Sequence, residues 1–315
     1  MLLVYKMRNQ LNRKGEKVLF IREKESILDH RGRVILTEKA LLELLNEHRT
    51  EVERLEKLHN YYVGKHPILE RQAKSTNLPN NQVMINHAKY ITDICTGYMV
   101  GNPISYTGED MAALQAVFKN ASIHSHDTSL GKSASVFGKS YELVYLTSTG
   151  QPAFTVIDPR QAFLVVADDV AQTPLLGIRY YTLNKKTKVF LYTTQEVVQY
   201  AQNGSELLLQ SREPNLFGQI PLVEYVNNEE ATADFEDVLS LIDAYNLLAS
   251  DRVNDKEQFV HCLLVLTNCN IDSQAYEKVR EWGVMALAGD GRAEYLTKTL
   301  NEADTEVLRL SLIHI

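Results

Sequence analysis

The chain has 315 residues, 44% hydrophobic and 23% charged, a composition that excludes a disordered tail or a membrane-embedded chain and allows about two folded units. Lys and Arg number 33 against 40 Asp and Glu, a formal net charge of −7, whereas a protein that coats DNA through its phosphates is basic. Glycine (15) and proline (8) are scarce, which excludes collagen-like and low-complexity chains and favours helices over tight turns.

Met1-Leu2-Leu3-Val4-Tyr5 is too short an apolar run for the core of a signal peptide. Later runs such as Leu263-Leu264-Val265-Leu266 fall far below the roughly 18 residues of a membrane span. Neither export nor membrane contact is expected. Cys95, Cys262 and Cys269 are odd in number and lack framework spacing, as for free thiols in a reducing compartment.

Residues 1–36 are strongly charged around Val18-Leu19-Phe20-Ile21 and read as a loosely docked arm. From the N-cap Thr37 the pattern becomes helical, with Leu41, Leu44, Leu45, His48, Val52, Leu55, Leu58 and Tyr62 recurring at three and four. Lys65 to Asn81 reads as a loop, with Asn81 capping a second helix marked by Val83, Ile85, Ala88, Ile91, Ile94, Cys95 and Tyr98. Met111 to Asn120 and Leu130 to Phe137 read as further short helices.

Strand patterns follow at Tyr141 to Leu146, Phe154 to Ile157, Ala162 to Val166, Gly177 to Tyr181 and Val189 to Tyr192. Their connections are too short for helical crossovers, so the expectation is an antiparallel meander beside helices, an α+β fold. From Asp234 to Leu266 neither proline nor glycine interrupts a helical pattern, and one helix of that length would reach about 50 Å. Beyond it, Ser273 to Trp282 reads as a helix, Val284 to Leu287 and Glu294 to Lys298 as strands, and Glu302 to Leu310 as a helix start.

Enzymatic signatures fail on spacing. Gly131-Lys132-Ser133 and Gly138-Lys139-Ser140 resemble a phosphate loop, but the glycine required five positions earlier is His126 or Ser133. Helical sequence precedes them and a strand follows, the wrong order for phosphate binding. His124-Ser125-His126-Asp127 lacks a remote ligand pair and reads as a polar helix–loop junction. Asp158, Asp168 and Asp169 lack the lysine of a metal nuclease. No catalytic, cofactor-binding or metal-binding residue is assigned. What stands out is the long amphipathic helix, whose apolar stripe must pack on another element or another subunit.

Several blocks also resemble the phage portal proteins of siphophage type. They are Asn80-Asn81-Gln82-Val83-Met84-Ile85-Asn86-His87-Ala88-Lys89-Tyr90-Ile91, Gly97 to Ile104, and Phe137 to Glu142 leading to Ile157-Asp158-Pro159. Phe217 to Asn228, then Leu241 to Asn246 and Ser250-Asp251-Arg252-Val253-Asn254-Asp255, complete the set in the same order. The resemblance implies a ring of about twelve subunits at a capsid vertex, a non-enzymatic channel for double-stranded DNA that binds the large terminase subunit, scaffolding proteins and head-completion proteins. It implies a wing over 37–233, a stem helix over 234–267 and a small α/β clip over 268–315, which stops short of the family's second stem helix and crown. Twelve copies would carry about −84 charges, a wall that repels DNA phosphates at close range.

On this basis Leu241, Ile242, Tyr245 and Leu248 form the expected oligomer interface, and Glu277, Arg280, Glu281 and Trp282 the expected partner-binding patch. The competing class is an adaptor or scaffold that assembles through a coiled coil of the same helix, as a dimer or trimer and not a ring.

Overall fold

A computed structural model describes residues 20–73, 78–109, 111–184, 186–203, 206–260, 263–268 and 290–296. They divide between two compact units, one reaching Lys65 and resuming from Asn86 to Leu239, the other comprising His66–Ile85 and the chain from Ser240.

The first unit is α+β. Strand β1 (Phe20–Arg22) and helix α1 (Lys24–Ile27) precede helix α2 (Glu38–Tyr62). Thr37 caps α2 as expected, its side chain accepting from the amide of Ala40 at 3.3 Å. Helices α3 (His87–Val100), α4 (Ala112–Asn120) and α5 (Ile123–Phe137) follow. Then come strands β2 (Lys139–Leu146), β3 (Pro152–Ile157), β4 (Ala162–Ala167), β5 (Pro174–Leu183), β6 (Lys186–Tyr192), β7 (Glu196–Asn203), β8 (Glu206–Pro214) and β9 (Leu222–Val226).

These strands form two sheets and not one meander. A six-stranded sheet runs β1-β4-β5-β6-β7-β8 and a three-stranded one β3-β2-β9. The chain changes sheet at the turn after β3, where the Asp158 carboxylate accepts from the amide of Arg160 and the Asp158 carbonyl from that of Gln161. All six residues of β4 are buried, which suits its continuous apolar sequence in a central strand. Strands β7, β8 and β9 escaped the sequence reading, although Val198 and Tyr200 alternate as a half-buried strand should.

The segment before α2 corrects the expectation of a loosely docked arm for residues 20–36. Phe20, Ile21 and Arg22 pair in parallel with Val165, Val166 and Ala167, and Phe20, Ile27, Leu28 and Val34 share one core with Leu41, Leu44, Leu45 and Phe163. Its apolar residues are scattered among charges without a period, and their partners lie far along the chain, so no local pattern marked them.

The start of α3 differs from the sequence reading, while α5 ends at Phe137 as read. Asn86, not Asn81, caps α3, accepting from the amide of Lys89 at 2.9 Å. The alternating residues before it are extended and find acceptors elsewhere. Helix α5 is capped by Gly138 in the left-handed region, φ +81°, where an added Cβ would meet the carbonyl oxygen of Ala231 at 2.0 Å. Only glycine fits there. Gly131-Lys132-Ser133 lies inside α5, and Gly138-Lys139-Ser140 leads from its end into β2, so a helix precedes and a strand follows the second segment.

The second unit contains a 3₁₀ turn (Pro67–Glu70), most of helix α6 (Leu239–Val260), and strands β10 (Leu263–Thr267) and β11 (Arg292–Leu296), which pair antiparallel. The expected helix from Asp234 to Leu266 is thus shorter at both ends. A 3₁₀ turn over Glu236–Val238 precedes it, and its 22 residues reach about 33 Å. Leu263-Leu264-Val265-Leu266 is as well suited to a strand as to a helix, and pairing with Ala293–Leu296 decides it. The readings for 273–282, 284–287 and 302–310 lie outside the described residues.

His48, on α2, is 0% exposed. Its ring stacks on Phe163 with centroids 4.5 Å apart, and Nδ1 lies 2.8 Å from the Tyr180 hydroxyl. Burial, aided by the nearby charge of Lys139, pushes its pKa down to about 3. The unfolded chain therefore takes up a proton near its ordinary value of 6.5 while the folded chain does not, so stability falls as pH drops from about 6.5 toward 3. Between pH 6.5 and pH 5 the loss from this group should be about 2 kcal/mol. Urea unfolding at the two pH values should show it, and His48→Phe should remove that part of the pH dependence.

Candidate assembly interface

The extended segment Asn81–Ile85 lies along α6 within the second unit and has no strand partner among the described residues. Its peptide groups are served by side chains. The amides of Asn81, Val83 and Ile85 donate to Asn254 Oδ1 at 2.6 Å, Ser250 Oγ at 2.9 Å and Asn246 Oδ1 at 3.0 Å. Two residues of extended chain advance about 6.6 Å and four residues of helix about 6 Å, so alternate amides meet successive turns of α6.

The ladder is completed from both sides. Asn246 Nδ2 donates to His66 Nδ1 at 2.9 Å, and Ser250 Oγ donates to the carbonyl of Asn246 at 2.7 Å. The carbonyl of Arg71 accepts from the side-chain amides of Asn80 and Gln82, while its guanidinium pairs with Asp251 at 2.6 Å. Asn81 Nδ2 also reaches Glu257. Asn246 and Ser250 are fully buried.

This ladder divides the expected oligomer stripe. Ile242 (0% exposed) and Tyr245 (8%) are buried within the chain, and Leu241 is half-buried. Leu248 stays 43% exposed, next to Leu247 at 45%. Helical spacing places Leu241, Ala244 and Leu248 on one side of α6, away from the Asn246–Ser250–Asn254 row, with Leu247 at the edge of that row between Asn254 and Asp251. Leu247 was missed because periodicity does not tell which of two apolar flanks the chain covers itself. The patch Glu277, Arg280, Glu281 and Trp282 lies outside the described residues, as do Cys262 and Cys269.

The stretch before α6 is anchored inside the first unit. Arg54, on α2, donates from Nε to Glu236 Oε1 at 2.8 Å, from Nη2 to Glu236 Oε2 at 2.5 Å and to the carbonyl of Ala231 at 3.1 Å. Nη1 reaches Glu51 at 2.8 Å, and Lys139 Nζ lies 3.7 Å from the same Glu51 oxygen. Burial alone would lower the pKa of Arg54, but Glu236 and Glu51 outweigh it and raise the value. Ser135 Oγ and Asn227 Nδ2 donate to Asp234, and the amide of Ala233 to Glu236. No local signal joins Arg54 to Glu236, which stands far along the chain.

A second titratable pair is held in packing. His126 Nε2 lies 3.0 Å from Glu142 Oε1, Tyr225 donates to Glu142 Oε2 at 2.7 Å, and the His126 ring stands edge-on to Phe154. Burial would raise the Glu142 carboxyl, but the bonds from His126 and Tyr225 hold it below its ordinary value. His124 to Asp127 belong to α5, so the expected helix–loop junction is the start of a helix. Among the described residues no His, Cys, Asp and Glu group is arranged to hold a metal ion.

Comparison with known proteins reaches most of these residues. A family model of phage portal proteins, SPP1 Gp6-like, matches residues 41–314. The chain is similar to the portal protein of Bacillus phage SPP1, with 23% identity over 240 residues, 69% of this chain and 48% of that protein. It spans about half the length of that curated relative.

Replacing Arg54 removes the guanidinium shared by the buried carboxylates of Glu51 and Glu236. Arg54→Met should therefore cost about 3 kcal/mol or more, as when one partner of a buried pair is removed. Urea unfolding measures it, and a loss below about 1 kcal/mol would make the network a surface decoration.

Proposed function

The chain belongs to the family of phage portal proteins of SPP1 Gp6-like type, and on that premise we propose that it is a subunit of a ring of about twelve copies at the capsid vertex. Double-stranded DNA passes through the ring during packaging and ejection without being read. The terminase large subunit, scaffolding proteins and head-completion proteins dock on it. In this reading residues 37–233 form the wing, 234–267 carry the stem helix and 268–315 belong to the clip, with Glu277, Arg280, Glu281 and Trp282 as its partner patch. The protein works in the virion after assembly in the host cell, and its role is structural.

The observation that carries the assembly reading is the outward side of α6. Leu247 and Leu248 remain nearly half exposed on a helix that buries Ile242, Tyr245, Asn246 and Ser250. A neighbouring subunit supplies the burial they lack, at about 1.5–3 kcal/mol for each side chain fully covered. Leu241, half-buried, extends that contact, while Ile242 and Tyr245 support it from inside the subunit. The net charge of −7 per chain, repeated around a ring, keeps the passage from holding DNA.

The test is particle size. Leu247→Asp with Leu248→Asp should convert rings into monomers, read by mass photometry or electron microscopy, while Ile242→Val should leave rings intact. Rings of normal size from the double variant would remove α6 from the interface. A dimer or trimer from the unaltered chain would favour a coiled-coil adaptor.

A further inference from the structure

The ladder between Asn81–Ile85 and α6 has a repeat in it. Its acceptors are Asn246, Ser250 and Asn254, one turn apart, and its ion pair joins Arg71 to Asp251, with Asp255 one turn further on. Moving α6 by one turn, so that each residue takes the place of the one four before it, sets Ser250 against the amide of Ile85 and Asn254 against that of Val83. Asp255 then stands opposite Arg71, and Ser250 opposite His66. By sequence the next position of the acceptor series is Gln258.

The opposite step has no such continuation. It brings Ile242 against the amide of Ile85 and Leu247 against the guanidinium of Arg71, leaving a peptide donor and a cation without acceptors. An unsatisfied buried donor or charge is costly. The forward step has its own cost, since Asn246 enters the buried slot of Ile242, and this makes the present register the lower in energy.

We propose that the extended segment and α6 form a ratchet with two registers one helical turn apart, and that the side chains permit the step in one direction only. Packed elements are bistable and not continuously deformable, so a helix loaded along its axis moves by whole turns. Because the amides of Ile85 and Val83 again face side-chain acceptors, with serine and asparagine exchanged, the second register is a defined state and not local unfolding. The inference holds whether or not the chain forms a ring.

The test uses the full chain with Cys95, Cys262 and Cys269 replaced by Ser and spin labels at Gln82→Cys and Ala244→Cys, diluted with unlabelled chain. Asp251→Leu withdraws the ion pair of the present register and leaves that of the second. A population about 5 Å longer in the label-to-label distance should grow in this variant, and it should not grow in Asp255→Leu. Circular dichroism identifies any variant that fails to fold, and oxidative cross-linking gives a second measurement. Val83→Cys with Ser250→Cys traps the present register, Val83→Cys with Asn254→Cys the second, and Val83→Cys with Asn246→Cys the forbidden one. Formation of the first two cross-links without the third supports the ratchet. An unchanged distance in folded Asp251→Leu, or failure of the Asn254 pair where the Ser250 pair forms, overturns it.

Discussion

A peptide group taken out of water must find a partner, and an extended segment without a neighbouring strand has to find it in side chains. Residues 81–85 meet this constraint with a helix. Asn246, Ser250 and Asn254 are poor choices for a helix interior, because their side chains compete with the backbone for hydrogen bonds. Here that competition is directed outward, to Asn81, Val83 and Ile85. The polar row fixes which side of α6 faces inward, and so which leucines are left on the other side.

The first unit solves a related problem with charge. Ala231–Glu236 has little regular structure of its own, and its polar groups turn toward Arg54, Ser135 and Asn227. Glycine at 138 lets the Ala231 carbonyl come close enough for this packing. Arg54 is suited to the task because its planar fork spans Glu236, Glu51 and a carbonyl at once, which an ammonium does not do. The family match covers both devices, since Arg54, Glu236 and the whole ladder fall within residues 41–314.

What could be read from the sequence was what repeats locally. The period of Leu41, Leu44, Leu45 and Leu55 gave α2, and Thr37 its cap, because both depend on neighbours three and four residues away. The alternation in β2 and β6 was visible for the same reason. Hidden features depend on distant partners: β1 on β4, Arg54 on Glu236, β10 on β11. The ladder is an instructive middle case. Asn80 to Ile91 and Ser250 to Asp255 carried the family resemblance, yet nothing in either block alone shows that one serves the peptide groups of the other. The same ambiguity misplaced the cap of α3, since Asn81 and Asn86 are the same residue type doing different work.

The parallel pairing of β1 with β4 also constrains how the chain is made. Phe20 meets Val165, so closing that contact requires more than half of the 315 residues to have been synthesised. Helix α2 can form early from local signals, but Phe163, which shares a core with Leu44 and Leu45, arrives much later. During that interval the apolar side of α2 has no sheet to cover it. Contacts so far apart in sequence are slow to form and leave apolar surface exposed until β4 has emerged.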